Sequence, residues 1–355
     1  MPTLFDPITL GELRLPNRIL MAPLTRTRSS GAGRVPNAMM RDYYVQRAAA
    51  GAIISEATSV AATGVGYPRT PGVWSAEQVA GWRLVTDGVH EAGGTILLQL
   101  WHVGRISDPI YLDGALPVAP SAIAPKGRVS LVRPERPYVT PRGLEPEEIP
   151  GIVSAFRKGA ENAEAAGFDG VEIHGANGYL LDQFLQDGSN RRNDGYGGTI
   201  ENRARLMLEV TDAVVSVWGA GRVGMHLAPR ADAHDMGDSD LPATFGHVAR
   251  ELGRRKIAFI CARESINEKR LGPALKAQFG GAYVVNEGFT RESGEAALAA
   301  GEADAVAFGK LFIANPDLPR RLALQAPLAP WDAASFYADG PEGYTDYPAL
   351  AAAAE

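Results

Sequence analysis

Phe168-Asp169-Gly170-Val171-Glu172-Ile173-His174-Gly175-Ala176-Asn177-Gly178-Tyr179 is a short apolar run, bounded by glycine, that breaks into a polar turn. A run of this length and composition reads as a buried strand. Its end delivers an imidazole, a carboxamide and a phenol to one rim. His174 and Asn177 can both donate hydrogen bonds to a single oxygen, and Tyr179 can give up a proton. That is equipment for gripping and polarising a carbonyl-like group. It is neither a nucleophile nor a metal cage.

Outward from this strand, apolar runs alternate with helix-like segments. The runs are 19–22, 52–56, 95–100, 170–173, 223–227, 257–261, 282–285 and 303–308. Helical patterns occupy 39–50, 77–92, 146–166, 200–217, 243–252, 268–279 and 290–300. Strands that alternate with helices pair in parallel, because parallel neighbours need crossovers. Eight such units predict a single (β/α)8 barrel, an α/β fold spanning 1–355. An open doubly wound sheet would place a G-x-G-x-x-G turn after its first strand, and Pro23-Leu24-Thr25-Arg26 is unlike that. Residues 8–15, centred on Gly11, read as a hairpin closing the bottom of the barrel. The Pro-rich stretch 103–145 reads as an active-site lid.

Composition narrows the function classes. A net charge of −6 with scattered lysines and arginines predicts no nucleic-acid partner and no membrane surface. The single cysteine, Cys261, excludes an internal disulfide, a cysteine-ligated iron–sulfur cluster and a zinc ribbon. No apolar run approaches the ~18 residues of a membrane span, and Met1 to Pro7 shows no leader pattern. The expectation is a cytoplasmic protein, monomer or homodimer, without a metal.

In a (β/α)8 barrel the site lies at the C-terminal strand ends. Those ends carry Thr25, Glu56, Gln99 with Trp101 and His102, the opening triplet, His226 with Arg230, Asn286-Glu287-Gly288-Phe289, and Gly309-Lys310. Gly288 before a helix start at Thr290, together with Gly309-Lys310, offers free N–H groups and a cation to an anion. Phosphate commonly binds at these last two loops.

The chain resembles the old yellow enzyme family of flavin-dependent ene-reductases. The resemblance runs nearly end to end, through Met21 to Arg26, Gln99 to Arg105, His174 to Leu180, Asn190 to Asp194, Tyr196 to Arg203, Phe308 to Lys310, Ile313 to Leu318 and Gly343 to Pro348. It implies tightly bound, non-covalent FMN and NADPH or NADH as reductant. Pro23, Leu24, Thr25, Ala57, Gln99 and His226 would contact the flavin ring, and Gly288, Phe289, Gly309 and Lys310 its phosphate. The implied reaction reduces the C=C bond of enones, enals, maleimides or nitroalkenes. Hydride would pass from the flavin N5 to the β-carbon, and Tyr179 would protonate the α-carbon. His174 and Asn177 would bind the substrate oxygen, with Tyr67, Trp101 and Tyr344, together with Tyr347, shaping the pocket. The alternative within the same fold is a nitroester or quinone reductase, or a flavin-binding protein without alkene turnover. A sugar-phosphate aldolase or isomerase on this barrel would need a Schiff-base lysine or a poised carboxylate inside it, and the absence of a lysine at the ends of strands four to seven counts against it.

Two positions depart from the family pattern. His226 stands where an arginine is usual, and Arg230 is a candidate to take over its charge. Lys310 stands where another arginine is usual, replacing a bidentate fork with a point charge. The stretch 190–203 reads as structural, with Thr199 capping a helix and Arg192, Asp194 and Arg203 forming ion pairs. His234, beside Asp232 and Asp235, reads as part of a solvated turn, and Cys261 as a small buried hydrophobe.

Overall fold

The computed structural model describes residues 1–230, 233–267 and 269–351. Eight strands form the barrel: β1 (Ile19–Met21), β2 (Ala52–Ile54), β3 (Ile96–Trp101), β4 (Gly170–His174), β5 (Val223–Leu227), β6 (Phe259–Arg263), β7 (Ala282–Asn286) and β8 (Ala305–Phe308). Each pairs in parallel with the next, and β8 pairs with β1 through Phe308 and Met21, which closes the sheet. The register sets Gln99 opposite Glu172, His174 opposite His226, and His226 opposite Cys261. Four neighbouring strands thus bring these polar side chains together.

Alternation along the strands divides the core. Leu20, Ala52, Ile54, Leu97, Phe259, Cys261, Val284 and Ala305 fill the barrel interior, and Leu10, Leu13 and Leu15 seal its lower end. These leucines belong to an antiparallel hairpin, Ile8–Leu10 with Leu13–Leu15, as expected from the sequence. Its turn depends on Gly11, at φ 60°: a β-carbon there would lie 2.4 Å from the Gly221 carbonyl oxygen. The larger cluster lies between sheet and helices, where Trp82, Phe156, Met207, Phe245 and Tyr283 are buried.

Helices Ala38–Val45, Ala76–Glu91, Ile149–Ala165, Ile200–Trp218, Leu241–Arg254, Gly272–Phe279 and Arg291–Ala299 fill the crossovers. Their starts follow capping chemistry. Ser75 and Gln78 form a reciprocal capping box, and Thr199 accepts from the Asn202 N–H. The stretch 190–203 is structural as read: Arg192 Nε donates to Asp194 at 3.0 Å, and Arg203 pairs with buried Asp238 at 3.1 Å.

One strand differs in a way that matters for the site. The sequence places the sixth strand at 257–261, whereas the ladder runs from Phe259 to Arg263. Lys256 takes a left-handed conformation, φ 55°, so the chain is still turning where the apolar run begins. The two-residue shift carries Arg263 to the strand's upper end.

The segment 103–145 holds a short parallel pair, Val118–Ala119 with Arg142–Gly143. Val129, Val132 and Tyr138 from this segment are buried against Tyr67 and Trp101. No described helix is long and apolar enough to cross a membrane.

Candidate active site

A cavity of about 710 Å³ opens at the C-terminal ends of the strands. Ala22 to Thr25, Ala57, Gln99 and His226 line it on one side, Gly288, Phe289, Gly309 and Lys310 on another, and Trp101, His174, Asn177 and Tyr179 on a third. Of the residues that the resemblance assigns to flavin, phosphate or substrate, all but Tyr67, Tyr344 and Tyr347 therefore line one cavity. Tyr67 stands directly behind it, its hydroxyl 2.8 Å from that of Tyr179.

The hydrogen bonding of His174 defines its chemistry. Its Nδ1 accepts from the Ala176 N–H at 3.3 Å, which assigns the proton of the neutral ring to Nε2. Burial, and then the nearby His226, His234 and Arg263, hold its pKa well below the usual histidine range. His174 is accordingly a neutral donor. Burial raises the pKa of Tyr179 well above the usual phenol value, against the opposing effect of the Tyr67 hydrogen bond. The phenol stays protonated, as a proton donor must. Trp101 makes edge contact with Tyr179 at 4.9 Å between ring centroids and stacks on Tyr67 at 5.5 Å.

Two further polar side chains, Arg263 and His234, reach the site. Arg263 lines the cavity and donates through Nη1 to Asn177 Oδ1 at 2.9 Å. Its Nε lies 2.8 Å from Glu287 Oε2. His234, expected in a solvated turn, donates from Nδ1 to the Asn177 carbonyl at 2.6 Å and packs against Tyr179. Asp232, invoked beside it, lies outside the described residues. The only sequence signal for Arg263 was an arginine two residues beyond the assigned strand end.

Tyr344 requires correction. It does not line the cavity but is fully buried, stacked on Tyr43 at 4.1 Å, with the Arg26 and Arg28 guanidinium groups 5.1 and 4.5 Å from its ring centroid. Those cations claim its π face. Trp331, Phe336 and Tyr337 line the cavity from the C-terminal segment instead. Tyr347 is likewise elsewhere, its hydroxyl accepting from the Asp332 N–H.

Beneath the cavity, Gln99 Nε2 donates to Glu172 Oε2 at 2.7 Å. Glu172 Oε1 and His226 Nδ1 lie 3.7 Å apart, both buried and without another partner among the described residues. A proton on Nδ1 points at the carboxylate and leaves Nε2 for the cavity. Cys261 completes this buried group, and burial raises its thiol pKa. Arg230 belongs elsewhere: it does not line the cavity, and its charge acts on Glu264, whose carboxylate accepts from the Leu271 and Gly272 N–H groups.

The residues present fit FMN. An apolar floor (Pro23, Leu24, Ala57) meets polar edges at Thr25, Gln99 and His226. The backbone N–H groups of Gly288, Phe289, Gly309 and Lys310 find no acceptor among the described residues. Together with the Lys310 ammonium they would hold a phosphate.

Comparison with known proteins agrees with this geometry. The family model described as "NADH:flavin oxidoreductase / NADH oxidase family" matches residues 3–329. 12-oxophytodienoate reductase 1 of Oryza sativa subsp. japonica is 44% identical over 361 residues, covering 98% of this chain and 93% of the relative. 12-oxophytodienoate reductase 2 of Arabidopsis thaliana is 42% identical, covering 98% and 96%. Among solved structures, the old yellow enzyme homologue from Zymomonas mobilis superposes with a TM-score of 0.96 at 43% identity, covering 98% of this chain and 100% of that one. Morphinone reductase in complex with tetrahydroNAD gives 0.95 at 46% identity, covering 99% and 98%. The chain belongs to the NADH:flavin oxidoreductase family of old yellow enzymes, and is an NAD(P)H-dependent flavin oxidoreductase with FMN as its cofactor.

Proposed function

We propose that the chain reduces activated C=C bonds, of the kind conjugated to a carbonyl or nitro group, at the expense of NAD(P)H. The observation that carries this reading is the convergence of a neutral histidine donor, a carboxamide and a protonated phenol above a floor that fits FMN. Relatives named as reductases of 12-oxophytodienoate and morphinone support it.

Bound FMN supplies two-electron transfer between nicotinamide and alkene. The His174 Nε2–H and the Asn177 amide grip the substrate oxygen. Two donors fixed before the reaction stabilise the negative charge that develops there, and so make the β-carbon electrophilic. Tyr179 delivers its proton to the α-carbon, and Tyr67, hydrogen-bonded behind it, holds the hydroxyl in place. Trp101, with Val129, Val132 and Tyr138 packed nearby, walls this side of the site from water. Gly288, Phe289, Gly309 and Lys310 would hold the phosphate of the bound cofactor.

The test is anaerobic. Purified protein should be yellow and release FMN on denaturation. NADPH should bleach it, and cyclohex-2-enone should restore the colour with formation of cyclohexanone. Reoxidation by quinones or nitroesters but not by enones or nitroalkenes would overturn this reading in favour of the alternative acceptor class.

A further inference from the structure

We propose that Arg263 is a positioning residue, which sets the Asn177 carboxamide so that its N–H face, not its oxygen, meets the substrate. The inference rests on the function proposed above, because it concerns the second of the two oxygen-binding donors.

An asparagine side chain presents a donor on one side and an acceptor on the other, and a half-turn exchanges them. Used the wrong way round, Asn177 would set its own oxygen against a substrate oxygen. His174 escapes this ambiguity because the Ala176 N–H occupies Nδ1. For the Asn177 carboxamide the only described partner is Arg263, whose Nη1 lies 2.9 Å from Oδ1. A guanidinium has donors and no acceptor. It can face only the amide oxygen, so Nδ2 is turned away from it.

Both ends of this contact are fixed. The backbone of Asn177 is in the left-handed region, φ 57°, and its carbonyl is held by His234 Nδ1 at 2.6 Å. Arg263 closes β6, between β5 and β7. Its guanidinium forks onto Glu287, with Nε 2.8 Å from Oε2 and Nη2 3.2 Å from Oε1. A bidentate pair of this kind fixes direction as well as position. Glu287 follows β7 directly and itself takes a left-handed backbone, φ 85°. The path Glu287–Arg263–Asn177 thus ties the loop after β7 to the donor after β4. The same cation helps keep His174 neutral and favours ionisation of Tyr179.

The experiment is a double-mutant cycle on FMN-loaded protein: wild type, Arg263→Met, Asn177→Ala and the double variant, with Arg263→Lys as the conservative replacement. Two quantities are read: the Kd of cyclohexanone, a ketone that cannot be reduced further, and kcat/KM for flavin reoxidation by cyclohex-2-enone. FMN content and melting temperature report folding. Arg263→Met should weaken cyclohexanone binding and lower kcat/KM by about tenfold each, the size of one lost hydrogen bond to a polarised oxygen. In the Asn177→Ala background the same substitution should change neither, and Arg263→Lys should recover part of the loss. Equal losses with and without Asn177, or no loss at all, would overturn the role of Arg263. A wild-type protein that NADPH reduces but no enone reoxidises would overturn the proposed function instead. The coupling between positions 263 and 177 in the cyclohexanone Kd would then still decide the inference.

Discussion

The hydroxyl of Tyr179 lies 2.8 Å from the hydroxyl of Tyr67, and the Tyr179 ring contacts both the indole of Trp101 and the imidazole of His234. Two phenols that share a hydrogen bond in a buried site cannot both ionise, and burial raises the pKa of each. The pair is therefore a neutral proton source across the physiological range.

Tyr179→Phe removes the proton but keeps the ring. Reduction of the flavin by NADPH requires no proton from this position and should persist. Reoxidation by cyclohex-2-enone should slow by about 100-fold, the usual scale of a positioned general acid. Stopped-flow rates for the two half-reactions check this, and unchanged enone reoxidation would remove Tyr179 from the proton-donor role. In the wild type the rate should stay flat up to about pH 10, because the raised pKa keeps the donor protonated beyond the usual phenol value.

Lys310 is the cation expected at the phosphate end, beside the Gly309 and Gly288 N–H groups, which find no acceptor among the described residues. Lys310→Ala should raise the FMN dissociation constant by about tenfold or more, since a hydrogen bond to a charged group is worth about 1.5–3 kcal/mol. Fluorescence of released flavin measures it. Lys310→Arg should bind at least as tightly as wild type, because the guanidinium fork matches phosphate geometry.

His226 faces Glu172 from 3.7 Å and presents its other nitrogen to the cavity. His226→Arg would place a permanent cation there. Negative charge on the reduced flavin would gain stability, so the potential should become more positive, by about 30 mV for each tenfold change in the two-electron equilibrium. Spectroelectrochemistry of the two holoproteins tests this. No shift would mean that another group already supplies the charge.

Most of the barrel is legible from apolar runs and helix periodicity, because both are local. The hairpin leucines, the capping threonine at 199 and the strand-four triplet fall where the sequence puts them. What escapes is set by partners far along the chain. Tyr344 reads as a pocket aromatic until its ring is claimed by Arg26, Arg28 and Tyr43, some 300 residues earlier. Trp331, Phe336 and Tyr337 sit in irregular chain with no period to reveal which way they face. Arg263 is hidden by a two-residue error at a strand boundary, and a charged residue closing an interior strand gives no hydropathy signal to correct it.

Glu56, at the upper end of β2, is buried beside the cavity residue Ala57. Its Oε2 accepts from the Arg26 N–H at 3.1 Å, whereas Oε1 has no partner among the described residues. Burial raises its pKa from 4.5 to about 7, despite the opposing pull of Arg26 and Arg28. Between those two pH values the folded protein keeps a proton on Glu56 that the unfolded chain has already released. Rising pH therefore favours unfolding across this window. The contribution of the protonated group is complete below pH 4.5 and lost above about pH 7, at a cost of up to about 3 kcal/mol. Glu56→Gln keeps the shape and cannot ionise. Urea titrations at pH 5 and pH 7.5 should show the variant losing less stability than the wild type over this interval. Other titrating groups, such as His102 with its pKa lowered to about 4, cancel in the comparison. Equal losses in both proteins would mean that Glu56 is ionised throughout, held by the two arginines beside it.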